Sequence, residues 1–325
     1  MKKERRYVMK PWIPFALSMT LLTACQSPSE PVDDSSWSET TPSITIPALQ
    51  REGVTWSHLV DDASRQQLRK TMTRAGLSEA SQQFFWDDVD RSLDYIDSSQ
   101  LVTSGFEPID ERATRLDEAF DVERWEKEQG VFIGYNCRIT AFGLMRDVLD
   151  IPTNVEARSR ELFMDNDALD ESPDAPFTKE ERAQFEQLFS YVPTTPSKNV
   201  DEKVREVQDA LHERGIAFPD EHVSIGTVWL HAINEDEEGK EDHYLFVGHT
   251  GLIFEEDDGH ILLLEKLSFQ EPYQLVRFPN RQALSDYWMY KYDTNVGQPM
   301  AKPFILENDQ PIEGYRPSLD NPTGS

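Results

Sequence analysis

From Val223 onward the chain changes character, and this change restricts the architecture more than any other feature. Val223–Asn234, His243–Glu255 and His260–Ser268 are rich in Val, Ile, Leu, Phe and Tyr. Only Glu235–Asp242 and Asp257-Asp258-Gly259 separate them. Such runs with short polar breaks predict three antiparallel strands joined by hairpins. Tyr273–Phe278 adds a fourth candidate strand, and a helix is expected over Arg281–Tyr292. No period of 20 to 50 residues recurs, which argues against a repeat architecture.

The preceding half is helical in pattern. Ala63–Ala75 is one candidate and Ser78–Ile96 another, with Phe85, Val89, Leu93 and Ile96 at helical spacing. A third helix is expected from Ile109 or Arg112 to Gln129, ended by Gly130. Asn136 is a good N-cap, and Ile139, Phe142, Met145 and Leu149 recur at helical spacing up to the stop at Pro152. Cys137 therefore falls in a first helical turn. Between Pro152 and Pro219 the pattern is helical and surface-like, with helices over Lys179–Tyr191 and Val200–Arg214, which suggests an insertion or lid. The expected division is N-terminal helices over 51–130, the cysteine helix over 131–152, a helical insertion over 153–222, a sheet over 223–295 and a tail over 296–325.

The ends and the composition set the compartment. Lys2, Lys3, Arg5, Arg6 and Lys10 form a basic stretch ahead of an apolar run from Trp12 to Leu22 that is too short for a permanent membrane span. Leu22-Thr23-Ala24-Cys25 resembles a bacterial lipobox. Residues 1–24 then read as a signal peptide, Cys25 as the lipidated residue, and residues 25–50, rich in Ser, Thr, Pro and Asp, as a flexible tether. The expected location is the extracytoplasmic face of the cell membrane, held by acyl chains on Cys25 such as palmitate. Losing residues 1–24 removes five basic side chains and Glu4, moving the formal charge from −28 to −32. So acidic a chain argues against nucleic acid as a partner, because phosphate contacts need Lys or Arg. At 38% apolar residues it is globular, and a monomer is expected.

Beyond Cys25 only one cysteine remains, so no intramolecular disulfide staples the domain and Cys137 is either buried and inert or reactive. A thiol acts as a nucleophile when it is a thiolate, and a helix N-terminus with a nearby imidazolium favours that form. Its own backbone N–H would face a developing oxyanion. Among seven histidines, His249 is the best base: it lies in the most apolar strand, and Gly251 leaves room beside it. Alternation places His249, Gly251 and Ile253 on one face. Beyond the Asp257-Asp258-Gly259 turn, Ile261–Lys266 brings Glu265 back as an isolated carboxylate that could fix the histidine tautomer. Asn136 and Tyr135 flank the thiol as supporting residues. Gln270 is the substitute third residue, and Glu265→Gln is expected to cost activity while leaving folding little changed.

Asn136-Cys137-Arg138 opening a helix, His249-Thr250-Gly251-Leu252-Ile253 on a strand and a polar residue one strand on resemble the papain-like superfamily of NlpC type. The NCR and HTG segments are also similar to those of an uncharacterised bacterial lipoprotein family over most of residues 50 to 295. The resemblance implies an α+β papain-like core, with a Cys-bearing helix on an antiparallel sheet, in which Cys137 is the nucleophile, His249 the base and Glu265 the orienting residue. It implies thiol-dependent cleavage of an amide bond, possibly in a cell-wall (peptidoglycan) peptide, without cofactor or metal. It departs from the usual Asp-Cys-Ser-Gly start, and the Cys-to-His separation is longer. A non-catalytic surface lipoprotein binding a wall component or partner protein is the rival reading, and a transglutaminase-like fold is a third.

Other features point elsewhere. His243 shares a face with His249 by alternation but lies six residues, about 20 Å, along the strand, and is expected to be a solvated strand-end residue. Asp165–Asp170 has the acidic spacing of a calcium loop but lacks its Gly and its twelfth-position Glu. Trp86, Trp125, Trp229 and Trp288 are expected in the core.

Overall fold

A long central strand shared by two hydrophobic cores organises the domain. The computed structural model describes residues 52–114, 119–153, 156–218, 222–235, 239–294 and 298–317, all within the unit Thr45–Ser325. The expected signal peptide, Cys25 and the expected tether lie outside the described residues. In chain order the first half comprises β1 (Thr55–Ser57), α1 (Asp62–Arg74), α2 (Glu79–Leu93), β2 (Glu107–Pro108), α3 (Val122–Gln129), α4 (Cys137–Met145), α5 (Phe163–Glu171) and α6 (Lys179–Leu188). Then follow β3 (Val192–Pro193), α7 (Val200–Glu213), β4 (Ser224–Glu235), β5 (Glu241–Glu255), β6 (Ile261–Lys266), β7 (Tyr273–Phe278), α8 (Arg281–Tyr292), β8 (Phe304–Glu307) and β9 (Gln310–Pro311). The fold class is α+β. The described strands form one antiparallel sheet in the order β2-β1-β7-β6-β5-β4-β8-β9, with β3 beside β5. None of the described helices is long and apolar enough to cross a membrane.

The β4–β7 meander follows from the clustered strand runs, and β6 shows why one of them is apolar without alternation. Leu262 and Leu264 enter a core shared with Ile139 and Phe142 of α4, while Ile261 and Leu263 enter a second core with Leu284 and Trp288 of α8. A strand covered on both faces has no reason to alternate. Each fully buried leucine contributes about 1.5–3 kcal/mol. Helix α4 is likewise apolar on all sides, as an interior helix must be, and residues 139 to 145 are all buried.

Strand β5 changes faces part-way. Its register with β4 runs Val228↔His249 and then Trp229↔Val247, so Gly248 is an unpaired extra residue, a β-bulge. A side chain there would bring its Cβ within 2.4 Å of Leu230. Before the bulge Leu245 and Val247 join the core of α4; after it Ile253 joins the core of α8. His243 and His249 therefore face opposite sides, which corrects the shared face expected from simple alternation. Nor is His243 solvated. It is buried, its Nδ1 lies 3.0 Å from Nε2 of His231, and its Nε2 lies 3.1 Å from Glu241.

Other expectations also change. The third helix starts only at Val122, because Phe120 is held in a β-bridge to Ile96 and Asp121 caps the new helix at Arg124 N–H. The N-terminal segment contributes β1 to the sheet, paired with β7. The supposed tail supplies β8 and β9, with β8 paired to β4. Residues 153–222 are no separate lid: Phe185, Leu188, Val207 and Leu211 lie in the α4 core, and β3 pairs with β5. The acidic stretch after Phe163 is helix α5, in keeping with the helical pattern read for that region. The four tryptophans are buried as expected.

Candidate active site

The ladder between β5 and β6 ends at Gly251 and Glu265. Beside this end a narrow crevice is lined by Cys137 and Thr140 of α4 together with Gly251, Leu252, Leu264 and Glu265. The N-terminus of α4 thus sits where the two strands part, and here a group on one face of the sheet can meet a group on the other. Gly251 is required for this contact, since a Cβ would lie 2.8 Å from both Leu263 Cδ1 and Leu264 O. The room expected beside the histidine is filled by the strand carrying Glu265.

His249 connects the other two residues. Its Nε2 donates to Glu265 Oε2 at 2.6 Å, leaving Nδ1 for the Cys137 thiol, with which the imidazole interacts electrostatically. Burial alone would push the thiol up, but His249, helped by the Arg138 guanidinium, holds it below its ordinary value. Burial would likewise discharge the imidazole, yet Cys137 and Glu265 on its two sides raise it to about 9. Burial also opposes ionisation of Glu265, and the charge of Lys291 with the His249 and Trp288 hydrogen bonds overcomes it, lowering that carboxyl to about 2. The shifts of thiol and imidazole both run toward a thiolate–imidazolium pair backed by a carboxylate, an arrangement able to attack an electrophilic carbon and to give a proton to the leaving group.

Glu265 is more completely held than the sequence suggests. Its Oε2 also accepts from Trp288 Nε1 at 2.9 Å, and its Oε1 from Tyr287 OH at 2.8 Å and from Gln274 Nε2. Lys291 Nζ donates to Tyr287 OH at 2.9 Å. The His249 ring lies edge-on to Trp288 and stacks on Tyr292. These residues went unnoticed in the sequence, although two signals exist. Gln274 faces Glu265 directly across β6 and β7, and Tyr287, Trp288, Lys291 and Tyr292 form two i,i+4 pairs on one helix.

The remaining candidates divide. Asn136 caps α4, its Oδ1 accepting the Ile139 N–H at 3.0 Å. Tyr135 is buried but bonds Ser172, and burial above all pushes its hydroxyl up to about 12; it holds the approach to the helix rather than the thiol. Gln270 lies in the turn between β6 and β7, and the glutamine on the carboxylate is Gln274. Among the described residues, no group of His, Cys, Asp and Glu side chains is placed to hold a metal ion. A cleft of about 570 Å³ around Arg74, Arg281, Glu255 and Glu307 shares no lining residue with the thiol crevice. Its arginines are already paired with neighbouring carboxylates, so its size says nothing about the chemistry at Cys137.

Fold and site thus define an α+β domain with a buried Cys–His–Glu constellation. Residues 55–312 match the model of a family described as a domain of unknown function (DUF4300), and the chain belongs to that family. No curated protein and no solved structure matches it.

Proposed function

We propose that this domain is a thiol hydrolase that cleaves an amide bond, with a papain-like core of NlpC type and a peptidoglycan peptide as the substrate class. The observation that carries the reading is buried His249, held by Glu265 at 2.6 Å and interacting electrostatically with Cys137, with the ring shifted toward its charged form. The Cys137 sulfur attacks the carbonyl carbon, and the oxyanion faces the free amides at the start of α4. His249 gives its Nδ1 proton to the amine as the C–N bond breaks, leaving a thioester. A water that has lost a proton to His249 then attacks the thioester, the C–S bond breaks and the thiolate returns. We further propose that Cys25 carries the lipid that holds the domain on the extracytoplasmic face.

One observation favours the rival reading of a non-catalytic surface lipoprotein. Cys137 is only 7% exposed and His249 1%, and the crevice behind the thiol has no room for a water molecule. The deciding measurement is iodoacetamide alkylation of native protein near neutral pH, followed on the Cys137 peptide. Faster modification than a free thiol, slowed in His249→Ala, supports the hydrolase. Modification only after denaturation leaves a core cysteine and sinks the enzymatic reading. Release of free amine from purified muropeptides by wild type, and not by Cys137→Ala, then tests the substrate class.

A further inference from the structure

We propose that Arg138 and Asp165 are positioning residues for the Cys137–His249 couple, setting both the thiol's charge and its placement against the imidazole; this rests on the couple being the reactive site. Asp165 lies on α5, in the stretch that sequence patterning treats as an insertion, and its side chain is fully buried. Its two oxygens hold the residues on either side of the thiol. Oδ1 accepts from Arg138 Nε at 2.9 Å and from Asn136 Nδ2 at 2.8 Å, and Oδ2 accepts from Arg138 Nη2 at 2.6 Å. The remaining arm, Nη1, donates to the carbonyl of Val247 at 2.8 Å.

Val247 is the last regularly paired residue before the bulge, two positions ahead of His249. The guanidinium therefore ties the helix that starts at Cys137 to the strand that delivers His249, at the point where that strand has lost its ladder. A planar fork with a third donor can do this; a lysine cannot, because its point charge fixes no plane. A buried ion pair is weak evidence of stabilisation in itself, since desolvation offsets most of the attraction. Its geometry here serves the mutual placement of two reacting groups, and small displacements of such groups cost large factors in rate.

The two residues act on the thiol with opposite sign. Arg138 favours the thiolate and Asp165 disfavours it, so charge and placement can be separated. The experiment measures two quantities on the full chain: the pH profile of Cys137 alkylation by iodoacetamide, and the turnover of p-nitrophenyl acetate. In the second, the sulfur takes the acetyl group, p-nitrophenolate leaves, and hydrolysis of the thioester requires His249 to accept a proton from water. Alkylation reports the thiolate and deacylation reports the placement of the ring.

Arg138→Lys should hold the alkylation profile within about half a pH unit, while deacylation falls about tenfold or more. Asp165→Asn should leave that profile in place or move it to lower pH, with a comparable loss of deacylation. If either variant folds poorly, Arg138→Lys combined with Asp165→Glu keeps an ion pair and the combined reach without the fork. That double variant should fold and still deacylate slowly. Deacylation within about twofold of wild type in these variants would overturn the proposal. So would a loss of deacylation matched by an equal loss of thiolate, which marks general loosening. Unreactive Cys137 in the wild type would instead overturn the hydrolase reading, and this proposal with it.

Discussion

Tyr292 lies nearly flat against His249, ring centroids 5.1 Å apart and planes 21° from parallel. An aromatic face on an imidazole favours its charged form by about 0.5–2 kcal/mol. Removing the ring therefore weakens the imidazolium while uncovering it. The folded imidazole stands at about 9 against 6.5 for a free one, so its contribution to stability is complete below about pH 6.5 and is lost as the pH rises through about 9. Amine release from a muropeptide should rise as the thiol ionises, below its usual range, and fall again near pH 9 as His249 loses the proton it must give to the leaving amine. In Tyr292→Ala the alkaline limb should move down by about 0.4–1.5 pH units. A limb that stays near 9 would show that the stacked ring has no electrostatic part.

Glu265→Gln keeps the shape but removes the charge on which His249, Trp288, Tyr287 and Gln274 converge. Activity should fall by about ten- to ten-thousandfold. The sequence suggests that folding would be spared; the structure indicates otherwise. The amide faces buried donors with a donor group of its own and leaves Lys291 without its carboxylate, so unfolding in urea should become easier by about 1–3 kcal/mol. Wild-type stability and activity in this variant would remove Glu265 from the site.

The buried His231–His243 pair makes a separate acid prediction. His231 Nδ1 accepts the Ala301 N–H at 3.0 Å, so its Nε2 must carry the proton given to His243 Nδ1, and His243 Nε2 gives its own to Glu241. Each ring is neutral in this chain of donors. Burial first, then His243 and Lys203, lower His231 to about 4 from 6.5. The unfolded chain therefore binds the extra proton first, and stability should fall as pH drops from about 6.5 to about 4, then level off for this group. Lys203 on α7 and Glu241 at the start of β5 are the charges that act on the pair. His231→Gln should remove its share of that slope in urea titrations at pH 7, 5.5 and 4, the rest coming from groups such as His58, which burial above all holds at about 3. An unchanged slope would show that the pair is not proton-ordered as drawn.

The sheet and the placement of Glu265 were legible because hairpins are local. A turn centred on Asp258 sets Gly251 opposite Glu265, and the carboxylate then falls beside the histidine by counting. The shell around Glu265 was not legible, because the docking of α8 on the sheet depends on tertiary packing that no spacing within the helix encodes. The role of Asp165 was not legible for a related reason: its acidic neighbourhood could be set aside as a calcium loop, but what it holds depends on Arg138, 27 residues away in the chain. Burial of His243 was hidden by the bulge, which only Gly248 hints at.

That surplus residue divides β5 into two reading frames. Upstream of it the odd-numbered side chains serve one core, and downstream the same parity serves the other, with the histidine as the first residue in the new frame. Deleting Gly248 would change the bend of the strand and not the side that each residue faces. Val247 and His249 would become neighbours on a regular strand and face opposite sides as they do now, so Leu245 and Val247 would keep their core and His249 its carboxylate, while the bend and extra twist of the bulge would be lost. The one residue that pairs with nothing therefore sets the angle at which the strand delivers its histidine, and its loss would be felt at the thiol and not in either core.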